Sequence, residues 1–193
     1  MTLYGTALFL HIIFAIVLVG ATAWEHVAVA LLRRSRTVDG VRAHVQYLAT
    51  MNRAMMPIAV LVLVPALYLA FAGSWWGAGW PVISLILFAS AGALAGAIVD
   101  PAVRRLQETV EAAPSGPATP EFLASLADRK LTLTTWVLAG IDVAIVALMT
   151  NKPGYVGAVT IGAIGVAVGT ALGIRESRHT TAPAAPSPGA APA

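Results

Sequence analysis

The chain has 193 residues, of which 58% are hydrophobic and 11% charged, with a formal net charge of +3. A soluble domain is about one quarter charged, so this composition excludes an ordinary water-soluble core and points to lipid as the solvent. There are no cysteines, which excludes disulfides and thiolate metal sites. The basic residues fall in short clusters between apolar runs, a pattern expected beside a membrane and not on a nucleic acid.

A membrane-crossing helix needs roughly 20 mostly apolar residues, and five such runs occur. The first, about 3–32, carries His11 early and Glu25 and His26 near its end. No basic segment precedes it, and it continues well past the ~15 residues of a secretory signal's apolar stretch. It is therefore expected to be retained. Residues 37–50 are expected to continue as a short helix on the membrane surface. The second run, about 55–73, holds Pro57 near its start and Pro65 in mid-span, where a missing backbone donor predicts a kink.

The third run, about 80–99, contains Gly92 and Gly96. Residues 112–120 include three prolines and read as a flexible linker. Residues 121–130 read as a helix leading straight into the fourth run, about 131–150, which is broken by Asp142. The fifth run, about 154–174, has Gly165, Gly169 and Gly173 at spacing four, with Gly162 close by. Residues 1–175 thus predict one all-α domain, a polytopic transmembrane bundle of five helices. Residues 176–193, rich in Ala and Pro, predict a disordered cytoplasmic tail.

Orientation follows from the basic residues. Arg33, Arg34, Arg36, Arg42 and Arg53 lie in the first loop; Arg104, Arg105, Arg129 and Lys130 in the third; Arg175 and Arg178 follow the fifth span. The second loop has none and the fourth has Lys152. The positive-inside rule then places the N-terminus outside and the C-terminus in the cytoplasm. Trp75, Trp76, Trp80, Tyr4 and Tyr155 gather at the expected outer boundary, in agreement.

Ionisable residues within spans are the best pointers to function. An Asp at mid-span costs about 2.5 to 3.5 kcal/mol on the translocon scale. Asp142 lies about 13 Å in from the outer end of its helix and His11 about 12 Å in from the outer end of the first, at 1.5 Å per residue. A His11–Asp142 pair at matched depth would offset both burial costs and orient the imidazole to hold a metal or haem iron, or to pass protons. The structural reading instead bonds Asp142 to Thr134, Thr135 or a backbone carbonyl, and His11 to a carbonyl. At the inner boundary, Glu25, His26 and Asp100 lie near Asn52, Arg53, Arg129 and Lys130. An ion-pair ring locking helix ends is one reading; a metal or proton entry site built on Glu25, His26 and Asp100 is the other. The Gly165, Gly169 and Gly173 stripe lets backbones approach closely, either within the bundle or toward a second copy or a membrane partner.

Two stretches together resemble a known family. One is Phe9-Leu10-His11 through Val19-Gly20, with Gly20 nine residues after the histidine. The other is Met149-Thr150-Asn151-Lys152-Pro153 at the end of the fourth span. They resemble an uncharacterised family of bacterial predicted integral membrane proteins, distantly similar to copper-resistance protein D and to the J-type protoporphyrinogen oxidase. The resemblance implies that His11 matches the first-helix histidine that ligates haem in the oxidase group. It makes haem b or copper the implied cofactor.

No phosphate loop, nucleophile elbow or paired metal-ligand motif occurs in the sequence. The sequence therefore points to an accessory or binding protein acting through helix packing. The alternatives are a haem or copper protein using His11 and Asp142, and a small proton-coupled transporter.

Overall fold

A computed structural model describes residues 2–180. Among them, five helices are long and apolar enough to cross a membrane: Leu3–Leu32, Val38–Ala72, Gly79–Ala112, Arg129–Asn151 and Tyr155–Arg178. The elements run α1 (Leu3–Arg34), α2 (Val38–Ala72), a 3-10 turn (Trp75–Gly77), α3 (Gly79–Leu94), a π turn (Ala95–Val99), α4 (Asp100–Ala112), α5 (Pro120–Ser125), α6 (Arg129–Asn151) and α7 (Tyr155–Thr180). Lipid offers backbone groups no hydrogen bonds, so helices that satisfy their own are the natural answer.

Helix ends carry the expected chemistry. Thr2, Thr37, Thr119 and Asp128 cap α1, α2, α5 and α6 through their side chains. Residues 37–50 belong to the same helix as the second span, and α2 runs on through Pro57 and Pro65. The π turn has a local cause. Pro101 follows Asp100 and has no N–H for the turn before it. The helix accommodates this by widening, with the Asp100 N–H bonded to the Ala95 carbonyl five residues back. The expected continuous helix into the fourth span is interrupted: α5 stops at Ser125, and Asp128 Oδ1 accepts from the N–H groups of Lys130 (2.8 Å) and Leu131 (3.0 Å) to start α6 afresh. An Asp at that position favours a new helix start over continuation.

The 112–120 segment is pinned to the first loop. The Val38 N–H bonds the Gly116 carbonyl and the Ala118 N–H bonds the Arg36 carbonyl, both at 2.9 Å. Arg42 donates to the Ala113 carbonyl (2.9 Å) and pairs with Asp39, which also accepts from Ser115. Beneath this clasp Ala28, Leu32, Val41, Val45, Val110 and Leu126 form a buried core. The basic first loop and the start of the third therefore share one end of the bundle.

The glycine stripe of α7 is used inside the chain. A Cβ on Gly165 would stand 2.5 Å from the Gly140 carbonyl oxygen, and one on Gly169 2.5 Å from that of Trp136. A Cβ on Gly173 would stand 2.8 Å from the Leu133 side chain and 3.0 Å from its Cα. Of the two readings of the stripe, packing within the bundle is the one seen, because α6 presents its own Gly140 at the crossing. A Cβ added to Gly92 of α3 or to Gly96 of the π turn would meet nothing within 4 Å among the described residues. The fifth helix continues as helix to Thr180, past the tail boundary expected at 176; residues 181–193 of that tail lie outside the described residues.

Candidate functional site

Polar groups inside the spans gather in two places. The first lies between α1 and α6. Thr22, Glu25 and His26 stand at i, i+3 and i+4 on α1, which puts them on one face of the helix. Thr22 and Glu25 are buried, and Glu25 is 8% exposed. The Thr22 hydroxyl donates to the Leu18 carbonyl at 3.2 Å and lies beside the Asp142 carboxyl group, which in turn is near that of Glu25. His26 donates from Nδ1 to the Thr22 carbonyl at 3.0 Å, since a carbonyl can only accept. Its Nε2 is buried without a partner, and its ring meets Trp136 edge-on with centroids 4.6 Å apart.

This geometry replaces the pairing expected from depth. His11 and Thr22 are eleven residues apart on one helix, about 16 Å along the axis, so His11 is not beside Asp142. The neighbour of Asp142 is Thr22 on α1, not Thr134 or Thr135 on its own helix. Asp100 accepts from Asn52 Nδ2 at 2.7 Å and so takes a neutral partner. Among the described residues no three His, Asp or Glu side chains converge on one metal position, so Glu25, His26 and Asp100 are not gathered with His11. Nor do Arg53, Arg129 and Lys130 form the expected ion-pair ring.

The second place is a groove of about 710 Å³ at the opposite end from the clasp. Its walls come from α1, α2, α3 and the end of α6, and they are overwhelmingly apolar. Besides the indoles, four polar side chains line it: His11, Ser84, Thr150 and Lys152; the Thr150 hydroxyl is satisfied by the Val146 and Ala147 carbonyls. His11 donates from Nδ1 to the Val62 carbonyl of α2 at 3.1 Å. That bond fixes the ring and leaves Nε2 as the uncommitted nitrogen. Ser84 is 3% exposed, and its hydroxyl has no partner among the described residues. Lys152 ends α6 with φ 47°, and its ammonium lies 5.8 and 5.9 Å from the ring centroids of Trp75 and Trp80, within cation–π range.

Sequence reasoning singled out His11 but passed over Thr22, Val62 and Ser84. A signal existed for Thr22 in its spacing from Glu25 and His26. Ser84 is a lone hydroxyl in an apolar run. Val62 acts through its backbone, which no side-chain pattern can mark.

Long apolar helices and intramembrane polar contacts define a polytopic helical membrane protein. The family described as predicted integral membrane protein (DUF2269) matches residues 6–153, and the chain belongs to that family. No curated protein and no solved structure matches the chain.

Proposed function

We propose that the chain is a ligand-binding protein of the bacterial inner membrane and that the groove beside His11 is its site. One observation carries this reading: a large apolar cavity with a few polar groups on its wall, namely His11, Ser84, Thr150 and Lys152. Sites for small lipophilic ligands and cofactors have that make-up. The grooved end is read as the outer one. Support comes from the basic residues, which concentrate at the clasped end, the expected cytoplasmic side.

A second reading, haem as the occupant, is favoured by the His11–Val62 bond. Metal-ligating histidines characteristically donate their other ring N–H to a carbonyl or carboxylate. The residues present fit the group. His11, through Nε2, and Met149, both on the groove wall, are the residues that would hold the iron. Lys152 suits the haem carboxylates. When bound, haem would supply one-electron chemistry; the chain's own residues bind it, fix the histidine tautomer and exclude water. A bare copper ion suits the site less, because no three His, Asp or Glu side chains converge among the described residues.

The test is solvent extraction and an absorption spectrum of detergent-purified protein. The reading predicts about one extractable lipophilic molecule per chain. A Soret band lost in His11→Ala would identify that molecule as haem. A colourless protein without copper by elemental analysis would remove the cofactor version, and protein free of any retained molecule would remove the groove reading itself.

A further inference from the structure

Ser84 is an exception among the intramembrane hydroxyls. Ser90, Thr160 and Thr170 each donate to a carbonyl four residues back, at 2.8, 2.9 and 2.8 Å. This is how a hydroxyl is normally satisfied inside a helix. Ser84 makes no such bond, although it is 97% removed from its surroundings by the fold, at 3% exposure. It lines the groove five residues into α3, about 8 Å from the helix start. A buried hydroxyl without a partner is costly, and an acceptor supplied by a ligand would remove that cost.

Lys152 is the second, independent observation. Its ammonium rests near two indoles and has no carboxylate partner among the described residues. An unpaired cation at the mouth, a hydroxyl donor one step deeper and a long apolar trough beyond match one ligand chemistry: a phosphate, then an ester carbonyl, then an acyl chain. The indoles already hold the lysine cation, so a headgroup carrying its own cation would be repelled there. That favours a headgroup with net negative charge.

Resting on the reading of the groove as a ligand site, we propose that its occupant is one anionic glycerophospholipid. Its phosphate lies beside Lys152, an ester carbonyl accepts from Ser84, and an acyl chain runs along the apolar walls past His11.

The experiment places the full chain in nanodiscs of equal parts phosphatidylglycerol and phosphatidylcholine with identical acyl chains. The lipid retained after release is identified by native mass spectrometry. The wild-type protein is expected to retain one phosphatidylglycerol with about fivefold enrichment, the scale of one basic residue beside an anionic lipid. Lys152→Gln should keep a lipid but lose the preference, while Lys152→Arg should keep the preference. Ser84→Ala should lower retention of both lipids alike, and Lys130→Gln, at the other end of the bundle, should change nothing. Retained lipid without headgroup preference, or a preference that survives Lys152→Gln, overturns the proposal while sparing the groove reading. Retention of no lipid at all overturns both.

Discussion

The Thr22 hydroxyl on α1, which donates to the Leu18 carbonyl at 3.2 Å, lies beside the carboxyl group of Asp142 on α6. This contact fixes the register of the first helix against the fourth span, two helices that otherwise touch little. Interhelical hydrogen bonds in membranes contribute about 0.6 kcal/mol on average and up to about 1.7. Thr22→Val is therefore expected to lower stability by at most roughly that amount, and Thr22→Ser to restore most of it, in unfolding by sodium dodecyl sulfate. A loss well above about 2 kcal/mol would mean that Thr22 does more than contact Asp142.

How far this arrangement is legible in the sequence depends on the residue. The five spans are legible because each apolar run is long enough to cross and the fourth is delimited by charged or polar ends. The relative depth of the helices is not. Helix α1 has 32 residues, about 48 Å of helix against a hydrocarbon core of about 30 Å. Counting in from its N-terminus cannot say which residue meets Asp142, and the count favoured His11 where the packed helices choose Thr22. The polar character of the groove was half legible. His11 stands out in an apolar run, whereas its anchor is the backbone of Val62.

The α6–α7 crossing is held by direct backbone approach. Gly165→Leu or Gly169→Leu would drive a side chain into the Gly140 or Trp136 carbonyl. Each is expected to cost about 1–3 kcal/mol, the usual scale for overpacking, or to prevent folding. Gly92→Leu, which meets open space, should be nearly neutral. Detergent-unfolding midpoints of the three variants give the comparison. A large loss at Gly92 with tolerance at Gly165 would contradict the packing described.

The clasp depends on Arg42. It ties Asp39 to the Ala113 carbonyl and brings the linker onto the first loop. Arg42→Ala should leave the spans intact but speed hydrogen exchange and protease cleavage across residues 113–119, because local opening follows lost tethering contacts. Unchanged exchange in that segment would show that the Val38–Gly116 and Ala118–Arg36 backbone bonds suffice alone.

The absence of native cysteines makes the orientation directly testable. Ser74→Cys and Ser115→Cys sit at opposite ends of the bundle. In intact cells or right-side-out vesicles, a membrane-impermeant maleimide is expected to label Ser74→Cys and to reach Ser115→Cys after lysis. The reverse pattern would invert the topology read from the basic residues.

The most direct test of the central claim is to fill the groove. Ala66 lines its α2 wall next to the His11–Val62 contact, and Ala66→Trp places a large side chain in the space. The account predicts that this variant folds, elutes as wild type and loses the molecule that the wild-type protein retains in native mass spectrometry. Retention of the same molecule at the same level by a folded Ala66→Trp protein would contradict it.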